Sequence, residues 1–273
     1  MRTPPVTSLL LERSLGLPKP MTRDFVIQRD LEVPTRDGIV LLADRWAPRA
    51  AAEGLPAVLI RTPYGRRGVA AVQLARPLAE RGFQVVLQSS RGTAGSSGVF
   101  DPLRHERLDG LDAVDWVCKQ PWFGGSLVLC GPSYLGYTQW AMPDQLPAQV
   151  KAMVPAVTES ALGLAFLREE AFGLESLFGW GLLVEQQERR WAMAHFLLGA
   201  RRRRRAEVVL PLSGADRVAL GRRSDIIQNF LAHDADSPFW TPTDASDRVF
   251  DVTIPTSLVE RSPMTRPPGH RAR

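Results

Sequence analysis

The sequence predicts an α/β fold: a mostly parallel sheet covered by helices on both faces, with a helical insertion packed over it. Three features predict it. Short continuous apolar runs, the form taken by strands buried on both faces, recur at residues 56–61, 83–88, 126–130 and 150–156. Segments of helical character separate them, and strands alternating with helices build parallel sheets. After about residue 158 the strand rhythm stops, and the apolar residues favour helix as far as about Phe230. At 273 residues and 44% hydrophobic composition, the chain is long enough for one sizeable core.

Residues 1–22, rich in proline and turn formers, read as a loose N-terminal arm, and residues 23–158 as the core. "FVIQRDLEVPTRDGIVLLADRWAP" holds two strand-like runs, 25–33 and 39–46, around Arg36-Asp37-Gly38. Asp-Gly between such runs signals a hairpin. "PAVLIR" (56–61) is the third strand, and "GVAAVQLARPLAERG" a helix closed by Gly82 and kinked at Pro77. "FQVVLQ" (83–88) is the fourth strand. "HERLDGLDAVDWVCKQ" is a helix whose Leu108, Leu111, Val114 and Val117 form its core face. "SLVLC" (126–130) and "VKAMVPA" (150–156) follow as strands. Residues 159–245 read as a helical cap insertion carrying Phe172, Phe178, Trp180, Trp191 and Phe196, and residues 246–259 return to the core through the strand "VTIPTSLV" (252–259). In 260–273 only arginine and proline stand out, without apolar periodicity.

Composition narrows the class. No run approaches the length of a membrane span, and "SLLLERSLG" is cut by charge too early for a signal peptide, so a cytoplasmic protein without membrane partners is expected. Cys118 and Cys130 fall in a helix and a strand, where buried free thiols are expected. The net charge of +5 is located in the five arginines of 201–205 and in the tail, and the remainder of the chain is net negative. Three lysines against thirty-one arginines mark a biased composition and not a phosphate-binding surface, so no nucleic-acid partner is expected. Asp109, Asp112 and Asp115 recur at threes on one helix without histidine or a ligand loop, which reads as a solvated face and no metal site.

The chemistry is expected at "LVLCGPSYLGYTQW" (127–140), where a buried strand stops at one serine. The pattern is G-x-S-Y-x-G: Gly131 lets strand and helix approach, Leu135 stands where G-x-S-x-G would place its second glycine, and Gly136 follows one residue later. Ser133 reads as a nucleophile on a strand-to-helix elbow, or alternatively as an ordinary helix N-cap. "RTPYGRRG" directly follows the third strand and "QSSRGTAGSSGVF" the fourth.

Together with "VPTRDGIVLLADRWAP" and "DAVDWVCKQPWFGG", these segments resemble, from about Val33 to Val259, the serine hydrolases of the cocaine esterase and X-Pro dipeptidyl-peptidase type (CocE/NonD), which have the α/β-hydrolase fold. The resemblance implies Ser133 as acyl nucleophile, with the Tyr64 hydroxyl and the Tyr134 backbone N–H as the oxyanion hole. It implies an ester or short-peptide substrate and no cofactor. Relatives usually carry an aspartate before the Arg-Gly pair where this chain has Ser89 and Ser90, so Arg91 is expected to lack its partner. The triad still needs an acid and a histidine base, in the order serine, acid, histidine. The resemblance places the acid after the strand 252–259, where "ERSPMTRPPGHRAR" contains no aspartate. His270 is the one histidine of that tail, while His105, His195 and His233 precede the acid position and read as surface or core residues. No triad acid or base is assigned. The chain therefore reads as the N-terminal part of such a hydrolase, lacking its last strand and helix and self-associating through the incomplete sheet edge. The alternative is a non-catalytic remnant.

Overall fold

The computed structural model describes residues 6–51, 54–165, 177–188 and 198–259. Six strands form one sheet in the order β1-β2-β4-β3-β5-β6: β1 (Phe25–Pro34), β2 (Val40–Pro48), β3 (Ala57–Thr62), β4 (Gln84–Ser89), β5 (Leu127–Pro132) and β6 (Val150–Ala156). β1, β2 and β4 pair antiparallel, while β4-β3, β3-β5 and β5-β6 are parallel. This is the predicted mixed, mostly parallel α/β sheet. β3 and β4 are buried along their whole length, which is why their apolar runs are unbroken.

The β1-β2 hairpin turns where Asp37-Gly38 predicts. Gly38 takes φ 82°, and the Thr35 hydroxyl donates to Asp37 at 2.6 Å and to the Ile39 carbonyl at 2.8 Å. β1 carries a register shift between Gln28 and Leu31, and Asp30 within it takes φ 55°. The break turns the Asp30 backbone N–H onto the Asp44 carboxylate at 3.0 Å.

Four helices flank the sheet: α1 (Val6–Leu15), α2 (Val69–Ala79), α3 (Glu106–Cys118) and α4 (Tyr134–Trp140). Where the sequence reads as a loose arm, α1 forms and is tied down. The Ser8 hydroxyl and the Arg23 and Arg76 guanidinia converge on buried Glu80, and Arg23 also reaches Glu12 at 2.8 Å. Pro77 lies inside α2.

The buried face of α3 differs from the predicted one. It comprises Glu106, Asp109, Gly110, Ala113, Val114 and Val117, while Leu108 is 49% exposed. Steps of three slip backwards on a helix of 3.6 residues per turn, so Leu108 and Val117 do not share a face. Two acids occupy the core side because Arg61 of β3 and Arg91 of the loop after β4 reach them.

The segment 252–259, predicted as a strand, runs parallel beside β6 but among the described residues makes only two isolated bridges, Met153 with Thr256 and Ala156 with Val259, and no continuous strand. Only Val252, Ile254 and Thr256 are partly buried within 252–257, and the first two pack on the core; the segment therefore has a single apolar face.

In the insertion, the described elements are α5 (Leu162–Ala165), α6 (Gly179–Val184), α7 (Ala200–Ala206), α8 (Ala215–Leu220), α9 (Asp225–Leu231) and, at its end, α10 (Ser246–Val249). Phe178, Leu182, Ala206, Ala215 and Ile227 form their small core. Ser224 caps α9 by accepting from the Ile227 N–H, and Gly221 ends α8 in the left-handed conformation. The arginine run is α7 itself, exposed apart from half-buried Arg203. Phe172, Trp191 and Phe196 lie outside the described residues. Cys118 and Cys130 are free and half-buried, and burial pushes both thiols up.

Arginine contacts hold four carboxylates below their ordinary values: Glu12 by Arg23, Asp30 by Arg66, Asp37 by Arg91 and Asp144 by Arg107. A carboxylate with a lowered folded pKa stabilises the fold above its unfolded pKa and loses that contribution as pH falls through the folded value. Stability should therefore be flat near neutrality and fall below about pH 4. Urea melts from pH 7 to pH 2 check this, and Asp37→Asn should be less stable at pH 7 with a shallower acid limb.

Candidate active site

β3, β4 and β5 are parallel, so the loops that follow them leave from one edge of the sheet. Open α/β sheets place their sites at that carboxyl edge. The loops carry Pro63-Tyr64-Gly65, the glycine-rich stretch 91–98, and Ser133.

Ser133 sits between the last residue pair of β5 and the first turn of α4 with φ 55° and ψ −124°. A side-chain-bearing residue held there stores on the order of 1–3 kcal/mol of backbone strain. The backbone is held on both sides. Its N–H donates to the Ala156 carbonyl of β6 at 2.8 Å, and its carbonyl accepts from the Gly136 and Tyr137 N–H groups at 2.8 and 3.0 Å. The side chain makes no capping hydrogen bond and is exposed, so the N-cap alternative does not describe this serine.

The two glycines are explained by close approach. A Cβ on Gly131, at φ 153°, would lie 2.4 Å from Leu135 Cβ. Leucine stands where the usual pattern has glycine, and it is Gly131 that makes room for it. A Cβ on Gly136 would lie 2.4 Å from Thr158 Cγ2 and 3.1 Å from the Gly131 carbonyl oxygen, so the displaced glycine is required by the strand-helix contact.

Tyr134 is fixed by a buried polar network. Its hydroxyl donates to Glu106 Oε1 at 2.8 Å and accepts from the Leu103 N–H at 2.9 Å. Glu106 Oε2 pairs with Arg61 Nη1 at 2.7 Å; the two side chains are 5% and 1% exposed. Arg61 also donates to Gln88 Oε1 of β4 at 2.7 Å and to the Glu106 carbonyl at 2.8 Å. Burial, followed by the Glu106 charge, pushes the Tyr134 phenol far above its ordinary value and keeps it a donor. The sequence reading missed Arg61 and Glu106. The signal was present, because an arginine ending an apolar run needs a buried partner.

Tyr64 packs in the same apolar cluster as Tyr134 and Leu135. Its N–H donates to Thr62 Oγ1 at 3.1 Å, and its hydroxyl accepts from the Trp180 indole N–H at 2.9 Å. Burial raises its pKa. The Trp180 ring also stacks on Tyr134, with centroids 5.9 Å apart and planes 16° apart. One cap side chain thus touches both tyrosines assigned to the oxyanion hole, a role the sequence reading did not give it.

Arginines hold the surrounding loops. Arg66 reaches Asp44 at 3.2 Å, the Ser89 hydroxyl and Ala94 carbonyl at 2.8 Å each, and Asp30 at 2.6 Å. Arg91 does not lack partners: it pairs with Asp109 at 2.5 Å and with Asp37 at 2.7 Å. Those contacts raise its pKa still further, and Ser89 serves Arg66 instead. The three aspartates of α3 are likewise no common solvated face. Asp109 is buried against Arg91, Asp112 pairs with Arg36 at 2.8 Å, and only Asp115 with Lys119 is an exposed pair. A cleft of about 340 Å³ opens beside Tyr64, lined by Pro63, Gly65, Ala94, Gly95, Gln187 and Glu188.

Among the described residues no histidine or carboxylate hydrogen-bonds the Ser133 hydroxyl. His105 is exposed at the start of α3. His233 Nδ1 lies 2.6 Å from the Asn229 carbonyl, and its ring stacks on Phe239 at 3.9 Å within the insertion. His195 and His270 lie outside the described residues.

Residues 37–260 match the model of the X-Pro dipeptidyl-peptidase (S15) family. The chain belongs to that family. It is 30% identical to the cocaine esterase of Rhodococcus sp. strain MB1 Bresler over 167 residues, which cover 59% of this chain and 29% of the esterase. Similar solved structures include an aminopeptidase from a marine-sediment Thaumarchaeota archaeon, at TM-score 0.64 and 20% identity, covering 89% of this chain and 45% of that one. An α-amino acid ester hydrolase superposes at TM-score 0.62 and 19% identity, with 89% of this chain and 44% of that one covered. The chain thus spans less than half the length of each of these proteins. At such identities the structural likeness establishes the shared α/β-hydrolase-type fold.

Gly131→Ala should destabilise the chain by more than about 2 kcal/mol, since it adds a positive-φ penalty to a clash that neither backbone can yield to. Leu135→Gly costs stability of its own by emptying a buried site, but by removing the opposing Cβ it should make the double variant more stable than the sum of the two single losses, as read from urea midpoints of the three variants.

Proposed function

We propose that this chain carries the nucleophile and oxyanion hole of a serine hydrolase that transfers an acyl group, from an ester or from an N-terminal dipeptide amide, to water through an acyl-enzyme on Ser133. The observation that carries this reading is Ser133 itself: an exposed, strained serine at a strand-to-helix junction whose hydroxyl caps nothing. A serine held in this shape only to make a turn would use its hydroxyl as a cap.

In the proposed step the Ser133 Oγ attacks the substrate carbonyl carbon and gives up its proton. The carbonyl oxygen becomes an anion that receives hydrogen bonds from the Tyr64 hydroxyl and the Tyr134 N–H, and the leaving alcohol or amine departs protonated. Tyr64 suits that role because burial keeps its phenol protonated through neutral pH. Tyr134 suits it because the Arg61–Glu106 pair fixes the residue whose amide is used.

With no base on Ser133 among the described residues, steady turnover of a p-nitrophenyl ester by this chain should stay barely above background, and Ser133→Ala should change it little. p-Nitrophenolate leaves without help from an acid, whereas the Ser133 alkoxide of the acyl-enzyme is a poor leaving group for water to displace, so the acyl group should accumulate on Ser133 as a covalent adduct. Intact-mass analysis after prolonged incubation should show one acyl group per chain, absent in Ser133→Ala and formed roughly 10²-fold more slowly in Tyr64→Phe. An adduct on another residue, or a rate unaffected by Tyr64→Phe, would contradict the assignment.

A further inference from the structure

We infer that Trp180 is a positioning residue for the oxyanion hole: its indole N–H fixes the Tyr64 hydroxyl so that the phenol proton is delivered to the developing anion. The inference rests on the role of Tyr64 proposed above.

An indole N–H can only donate, so in the 2.9 Å contact the Tyr64 oxygen is the acceptor. A phenol has one proton to give, and no described residue accepts it from Tyr64. The Trp180 contact therefore fixes the oxygen without consuming the proton. A donor on the phenol oxygen also polarises the O–H bond and strengthens what it donates.

Trp180 is itself immobilised. Its ring is stacked on Tyr134 and lies tilted against Phe230 at 6.3 Å, and Phe230 is stacked on Trp240 at 5.7 Å. The indole thus spans the two proposed oxyanion donors, holding one by a hydrogen bond and the other by its ring face. A tryptophan present only to join cap to core would need neither its N–H nor this orientation.

The test removes the N–H and keeps a ring. In Trp180→Phe, phenolate formation at Tyr64 loses a stabilising donor, so Tyr64 should become about fivefold or more weaker as an acid. An ultraviolet pH titration, taken as the difference from Tyr64→Phe, reads this directly and needs no catalysis. Acyl labelling of Ser133 should slow by about the same factor in Trp180→Phe, while adding Trp180→Phe to Tyr64→Phe should cost nothing more. Should Trp180→Phe fail to fold, the ¹⁵N-indole signal of Trp180 in the folded Tyr64→Phe chain provides the same reading, since it should move towards the position of a free indole N–H. An unchanged Tyr64 titration or indole signal overturns the inference, as does an equal labelling loss in both backgrounds, which is the mark of a merely structural role. A titration that shifts while Tyr64→Phe leaves labelling untouched also overturns it, and locates the failure in the oxyanion assignment and not in the hydrogen bond.

Discussion

Arg61 brings a full charge into the middle of the molecule, and much of the site depends on how that charge is met. It ends β3, pairs with Glu106 from α3 and donates to Gln88 from β4, while Glu106 in turn receives the hydroxyl of Tyr134 at the start of α4. Four elements are thereby locked in mutual register by groups that cannot be separated cheaply. Leaving one member of a buried ion pair alone costs about 3–5 kcal/mol, although the intact pair contributes little net stability. The network's value is therefore positional. It sets the rotation of α3, which turns acids and not Leu108 into the core, and it sets the point from which α4 departs.

The same device recurs at the two loops beside the elbow. Arg66 gathers Asp30, Asp44, Ser89 and the Ala94 carbonyl, so the loop after β3 is tied to the hairpin and to the loop after β4. Arg91 clamps the loop after β4 between Asp37 of the hairpin and Asp109 of α3. Arginine suits these positions because its planar fork offers several donors in fixed directions. The arginine bias of the chain, which looks like surface composition when counted, is partly internal architecture.

The sheet was legible because burial on both faces writes itself as unbroken apolar runs, and β3 to β6 fall within a residue or two of those runs. The elbow was legible because glycines flank its serine. What was hidden had a common cause, in that each missed feature is a contact between residues distant in the chain. The sequence showed Arg91 without its adjacent acid, yet Asp109 and Asp37 reach it from α3 and from a turn. Leu108 looked like core because acids were assumed to face water, and nothing local told that Glu106 and Asp109 had partners on β3 and in the loop after β4. The helix of residues 6–15 was obscured by the prolines around it, and its anchor, Glu80, lies on a different element. Trp180 could be read as apolar but not as the donor to Tyr64, since 116 residues separate the two.

The aromatic series that runs from Tyr134 through Trp180 and Phe230 to Trp240 joins the start of α4 to the insertion. Each such pair contributes on the order of 0.5–1.5 kcal/mol beyond its buried area. Lifting the insertion away from the elbow would separate Trp180 from Tyr134 and from Tyr64 together, so that both contacts are lost in one movement. The insertion and the two tyrosines are thus coupled: the insertion cannot move off the elbow and leave either Trp180 contact in place. The cleft beside Tyr64 is walled by the loops Pro63-Tyr64-Gly65 and Ala94-Gly95 and by Gln187 and Glu188 of the insertion. Its width is tied to the same contacts, since the helix that carries Trp180 leads directly into the wall that Gln187 and Glu188 supply.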